Sequence, residues 1–133
     1  MLWLTGFIDK AKDTGRLAPC RFHGTELPTW IGEVAGLDDS PLPAAFAAYD
    51  CRNNRLARRG LAADGFDAAL RAAIGRHGPR RVGVILGTST SGILETETAF
   101  RQRGADGALP AGFSYAGAHN TYSLAAFVRA WFG

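Results

Sequence analysis

The run Arg81-Val-Gly-Val-Ile-Leu-Gly-Thr-Ser-Thr-Ser-Gly-Ile93 constrains the fold more than any other part of this chain. Its β-branched apolar residues suit a pleated strand over 81–86, which passes into a loop of Gly, Ser and Thr. Residues 93–103 beyond the loop carry the pattern of a helix. In α/β folds that order places backbone N–H donors and small hydroxyls beside a buried site. A strand feeding a helix in this way is covered on both faces, which predicts a parallel-containing sheet flanked by helices. Only one strong strand is visible, so the chain reads as an incomplete part of such a sheet.

The flanking segments supply helices to cover it. Residues 9–43 are interrupted by Gly and Pro throughout and predict ordered loop, with one short strand over 29–34 that turns Trp30 and Val34 inward. From Pro43 the chain becomes Ala-rich. Asp50 is placed to cap a helix with Leu56 and Ala57 on its buried stripe, ending near Gly60. Phe66, Leu70, Ala73 and Ile74 share one face of a second helical stretch, separated from the first by a break or kink at Asp64-Gly65. Gly78-Pro79 stops that stretch before the strand. Glu97 and Arg101 stand four apart in the orientation that supports a helix, and Gly104 closes it. After a turn-rich segment over 105–118, Leu124, Phe127, Val128 and Trp131 follow the spacing of an amphipathic helix that ends at Gly133. Asn120 or Thr121, after His119, supplies its cap.

At 133 residues and 47% apolar, the chain suits a single domain with a modest core. The formal charge is +3, and all but Lys10 and Lys12 of the 15 basic residues are Arg, scattered among 12 acids. Without a Lys/Arg run or interleaved aromatic and basic residues, this composition does not point to nucleic acid. The two cysteines, Cys20 and Cys51, show no disulfide framework and suit a reducing, cytoplasmic setting. Residues 1–8 are apolar but are followed by Asp9 and Lys10, which fits neither a signal peptide nor a membrane span.

Several site chemistries compete for the same residues. Gly87-Thr-Ser-Thr-Ser-Gly92 has the glycine spacing of a phosphate-binding loop, but Ile93 stands where that motif needs Lys. The loop also approaches the Gly-x-Ser-x-Gly elbow of serine hydrolases through Ser89, with Ser91 in place of the last Gly. A third reading has the hydroxyls of Ser89 and Ser91 satisfying backbone groups at a strand-to-helix turn. Cys20, His23 and Cys51 are possible metal ligands that lack a second tight pair, and Cys51 equally suits a buried small residue. Arg52, Arg55, Arg58 and Arg59, joined by Arg71, Arg76, Arg80 and Arg81, form either a basic face for an acidic protein partner or ordinary solvated helix surface.

Three segments together resemble the β-ketoacyl-acyl carrier protein synthases of the thiolase-like superfamily. Residues 81–95, with Val-Ile-Leu-Gly-Thr-Ser-Thr-Ser-Gly-Ile-Leu-Glu, are similar to that family's strand, loop and helix. Asp50-Cys-Arg-Asn-Asn-Arg55 resembles the helix start upstream of them, and His119-Asn-Thr-Tyr-Ser-Leu124 the entry to the helix before the family's nucleophile strand. The resemblance covers residues 15–133, while the start, residues 1–14, is unmatched. It implies the N-terminal half of a thiolase-like fold, present here as a single partial domain over 1–133, in an enzyme that works as a dimer.

The family condenses an acyl thioester on a cysteine with malonyl-acyl carrier protein, releasing carbon dioxide, in fatty acid, polyketide or polyene biosynthesis. The resemblance implies no metal or redox cofactor, and neither nucleic acid nor membrane as partner. By this alignment Thr90 falls on the acyl pocket wall, and Tyr115 and Ala116 on a loop that reaches the partner subunit's pocket. The carrier-docking positions are Ala44, Ala47 and Ala48, where the family is basic. No catalytic residue falls within the chain, because Cys20 and Cys51 do not stand at the nucleophile position, so the chain alone is expected to be inactive. The alternatives are a non-catalytic ketosynthase-like partner subunit, in a homo- or heterodimer, and an α/β hydrolase fragment using Ser89 or Ser91.

Overall fold

The computed structural model describes residues 17–20 and 28–133. Among these the fold is mixed α/β and mostly helical, an antiparallel ribbon followed by four α-helices. β1 (Leu17–Pro19) pairs with β2 (Trp30–Gly32), placing Ala18 opposite Ile31. β2 lies inside the expected strand, whereas β1 occupies sequence that reads as loop. Trp30 is not turned inward but is 64% exposed. The ribbon is tied to the helices through the residues that follow it, Glu33, Ala35 and Asp38, and no described residue covers the Trp30 indole.

A short turn of tight helix, Ala44–Tyr49, leads to α1 (Arg52–Leu61). Asp50 does not cap α1. Cys51 is the extended residue at the cap position (φ −145°, ψ 158°), which leaves Asp50 one residue too early to reach the first free amides. The Arg52 N–H donates instead to Glu95 Oε1 at 2.7 Å, a carboxylate brought from a distant helix. The buried face of α1 carries Asn54, Gly60 and Leu61, with Leu56 and Ala57 half-buried beside it.

Asp64 (φ 55°) and Gly65 (φ 73°) both adopt the left-handed region, so the chain breaks there before α2 (Phe66–His77). Gly78 and Pro79 end α2 as expected, and a single tight turn, Pro79–Arg81, follows. Val82 is extended (φ −110°, ψ 121°), but residues 82–86 belong to no helix or strand and form no ladder among the described residues. The expected parallel-containing sheet is therefore absent among the described residues. A strand needs a neighbour for its N–H and C=O groups, and β1 and β2 already pair with each other.

α3 (Ile93–Arg101) stops before Gly104, because Gln102 leaves the helical region (φ −93°, ψ 10°). The expected Glu97–Arg101 pair forms at 3.6 Å with both side chains exposed, which is worth a few tenths of a kcal/mol. A wide helical turn, Tyr115–His119, precedes α4 (Ser123–Phe132). Neither Asn120 nor Thr121 caps α4: Tyr122 holds the cap position without a side-chain bond, and Asn120 Oδ1 instead accepts the Tyr122 N–H at 2.9 Å within the preceding turn. The core gathers Leu42, Leu61, Phe127 and Val128, with Phe46, Tyr49, Phe66, Val84, Trp131 and Phe132 packed around them. Among the described residues no helix is long and apolar enough to cross a membrane.

Candidate functional site

The loop after residues 82–86, the first turn of α1 and the entry to α4 meet at one junction. Gly92 opens α3 in the left-handed region (φ 47°), and a Cβ there would strike the carbonyl of Ala118. Only glycine combines that conformation with that approach. Ser91 is buried beside it. Its hydroxyl lies 2.9 Å from the Ala118 carbonyl and 2.6 Å from the Ser123 hydroxyl, which is itself 3.2 Å from Ala118 O. Two hydroxyl protons thus serve three oxygens, and the loop is locked to the start of α4 by a closed polar cluster.

The neighbouring cluster fixes His119. Thr96 Oγ1 is 2.8 Å from Gly92 O, which can only accept, so the single hydroxyl proton goes there. His119 Nδ1 lies 2.8 Å from the same hydroxyl, which holds the ring in place. The Tyr115 ring lies against His119 at 5.3 Å between centroids. On the other side, Asn54 is fully buried and donates from Nδ2 to Tyr49 O and to Gly117 O, tying α1 to the wide turn.

The sequence candidates fall unevenly around this junction. Thr90 lines a cleft of about 320 Å³ with Arg52, Asn53, Leu56, Ile93 and Glu95. Asn53 Nδ2 is buried without a hydrogen-bond partner, a donor available to a bound group. Tyr115 is 61% exposed and Ala116 is exposed beside it, but neither lines the Thr90 cleft. Thr88 Oγ1 donates to Thr90 O at 2.6 Å and shapes the loop. Neither Ser89 nor Ser91 has an imidazole partner among the described residues, because His119 bonds to Thr96. The turn-satisfying reading therefore accounts for Ser91, and no described residue is placed as a base for either hydroxyl.

Cys51 is fully buried, and burial pushes its thiol above the ordinary range, with the nearby Glu95 and Asp50 charges adding to the effect. It has the surroundings of an inert core thiol. Cys20 is buried, and His23 lies outside the described residues. No group of three His, Cys, Asp or Glu that could hold a metal ion occurs among the described residues.

Much of the expected basic face is turned onto the chain itself. Arg52 bonds Asp38 Oδ1 and Glu33 Oε1, Arg55 bonds the Asp38 carbonyl, and Arg59 bonds the Ala35 carbonyl. Arg58 lies over the Trp131 ring at 5.4 Å, while Arg71 pairs with Asp67 and lies over Phe132 at 4.9 Å. These contacts clamp residues 33–40 onto α1 and secure both neighbours of α4.

Asp50 anchors this clamp. It accepts from Arg55 Nε at 2.6 Å and Nη2 at 2.8 Å, and from the Leu42 N–H at 3.1 Å. The Arg55 hydrogen bonds hold its carboxyl below the usual carboxylate range against the opposing cost of burial, with the Leu42 amide helping. A carboxylate whose folded pKa lies below its unfolded one stabilises fully above the unfolded value, near about pH 4. That contribution is lost as pH falls toward the folded value. Asp50→Asn is expected to cost about 2 kcal/mol near neutrality and to flatten the loss of stability between about pH 5 and about pH 2. Urea midpoints of parent and variant across that range check it, and parallel pH profiles would refute it.

No family model, curated protein or solved structure matches this chain. Residues 81–95, 50–55 and 119–124, the segments singled out in the sequence, meet at this junction. Glu95 joins the second to the first, and Ser91 and Gly92 join it to the segment around Ala118 and Ser123. Glu95, Ser123 and Gly117 carry these joints without having been singled out as sites in the sequence. Glu95, three residues into α3, has the position of a local capping residue, and only the tertiary arrangement shows that it caps α1.

Proposed function

We propose that this chain is part of a β-ketoacyl-acyl carrier protein synthase of the thiolase-like superfamily. In this reading it contributes the wall of an acyl pocket to the decarboxylative condensation of an acyl thioester with malonyl-acyl carrier protein. The observation that carries the reading is the convergence of the three resembling segments on one junction, although Arg52 and Glu95 stand 43 positions apart and Ser91 and Ser123 stand 32 apart.

Within that reading Thr90 borders the acyl chain, and Tyr115 and Ala116 stand on an exposed turn suited to reach a second subunit of a dimer. The chain supplies no nucleophile, because Cys51 is sealed in the core. The thioester-forming cysteine comes from polypeptide beyond these residues, in the same enzyme or in a partner subunit that this chain serves without catalysing. Purified alone, the chain is expected to show no condensation.

A photoreactive acyl-pantetheine probe tests the pocket. Crosslinks mapped by mass spectrometry are expected at residues 88–93, and at 115–116 when a partner subunit is present. Thr90→Trp should cut the labelling by about tenfold by filling the cleft. Labelling spread evenly over the chain, or unchanged in the Trp variant, would sink the acyl-pocket reading. Acylation of Ser89 by an ester probe would favour the hydrolase alternative instead.

A further inference from the structure

Residues 82–86 border a second, larger cleft of about 540 Å³, formed with α2 and α4 and lined by Phe66, Leu70, Ile74, Val84, Val128 and Phe132. Arg76, His77 and Arg129 also line it. Three observations converge on what it holds. From residue 83 to residue 87 no N–H or C=O takes part in a backbone hydrogen bond among the described residues. Val82 and Val84 are half-buried toward the helices, whereas Ile85 is 97% and Leu86 40% exposed at the mouth of the cleft. Arg76, Arg80, Arg81 and Arg129 are exposed and make no ion pair among the described residues, since the Asp67 carboxylate of α2 is already held by Arg71.

We propose that this groove binds an extended strand of another polypeptide, apolar at alternate positions and acidic at its C-terminal end. It adds antiparallel to residues 82–86, which brings its acidic end beside Arg80 and Arg81. A lipid chain would fill the apolar cleft but leave the row of backbone groups unbonded, and a docked helix would do the same because it satisfies its own amides. A second copy of this chain offers the same arginines. In-register parallel pairing would stack Arg80 and Arg81 on themselves, and antiparallel pairing would leave the cations uncompensated. The inference uses neither the Gly-rich loop nor any thiol, so it stands apart from the acyl-transfer reading.

The test is fluorescence anisotropy of the whole chain with a labelled peptide, Thr-Val-Thr-Val-Thr-Val-Asp-Glu. Saturable binding is expected, weakened about tenfold when Asp-Glu is replaced by Lys-Lys, and weakened similarly by the Arg80→Glu, Arg81→Glu double variant. Both positions are exposed, so the fold is retained. N-methylation of alternate peptide amides, which removes strand pairing without touching the protein, should abolish binding. Equal affinity for acidic and basic peptides, or for the N-methylated one, overturns the proposal. So does a dimer in sedimentation that excludes the peptide, which would assign the groove to a second copy. Binding that appears only after Leu4→Asp would assign it to residues 1–8 of the chain itself.

Discussion

Substitution of Gly117 by Ala is expected to lower the unfolding free energy by about 3 kcal/mol. Gly117 has an ordinary backbone conformation, so the effect is one of space rather than of glycine's freedom. A Cβ there would collide with the carbonyl oxygen of Ala48, and would sit 2.7 Å from its carbon and 2.9 Å from Ser114 Oγ. The obstacle is main chain, which cannot rotate aside as a flexible side chain would. Relief requires the wide turn Tyr115–His119 to lift from the Ala44–Tyr49 turn. That motion strains the Asn54 bond to Gly117 O and the bond from Gly117 N to Ser114 Oγ. Buried Asn54 already has one unpaired side-chain atom, Oδ1, so further loss there is costly. Gly112→Ala is the control, because a Cβ there meets nothing within 4 Å. Urea unfolding followed by far-UV circular dichroism checks the pair, and a Gly117 variant within about 0.5 kcal/mol of the Gly112 variant would refute the close-packing account.

This contrast shows what the sequence could and could not disclose. The helices were legible because their signals are local: Leu124, Phe127 and Val128 recur at helical spacing, and Gly78-Pro79 ends α2 within its own turn. The break at Asp64-Gly65 was legible for the same reason. Trp30 differs because alternation reports which side chains share a face, whereas burial depends on a second layer, and no described residue supplies one over it. The segment over 82–86 was recognised by its β-branched residues, but a ladder is a property of two strands. Asp50 carries the right chemistry for a cap and stands one residue too early, a difference that depends on the backbone angles of Cys51.

At the junction the limits are sharper. Glu95 caps a helix 43 residues away, and nothing in its local sequence distinguishes that role from capping its own helix. The arginines of α1 read equally well as a docking face and as solvated surface. In the structure they serve mainly a third purpose, holding the carbonyls and carboxylates of residues 33–40. Among the described residues, Arg76, Arg80, Arg81, Arg103 and Arg129 are exposed and make no ion pair, and all but Arg103 lie beside the larger cleft. The Gly-Thr-Ser-Thr-Ser-Gly loop changes meaning as well. Its Ser91 is spent on the Ala118 carbonyl and the Ser123 hydroxyl, which leaves Thr90 as the side chain facing a cleft.

Phe127→Ala is expected to be the most damaging single change in the core, costing about 3–5 kcal/mol. The ring is fully buried and meets Phe46 edge-on at 6.1 Å, Tyr49 at 6.1 Å and Trp131 at 5.9 Å. It therefore joins α4 to the Ala44–Tyr49 turn, and with Leu61 to α1, so its removal opens a cavity that three elements would have to close together. Those elements are held from other directions by the Arg58 contact to Trp131 and the Ser91–Ser123 cluster, which limits their collapse into the space. Small domains are stable by only about 5–15 kcal/mol, and this one leaves an apolar cleft open. A loss of that size should turn a cooperative urea transition into a broad one with little baseline. Phe127→Leu, which keeps most of the volume, should cost no more than about 1.5 kcal/mol and retain cooperativity. Ile85→Ala should change stability by less than about 0.5 kcal/mol, since Ile85 is 97% exposed. If Phe127→Ala and Ile85→Ala unfold at the same urea concentration, the core is not organised around Phe127 and the packing of α4 described above is wrong.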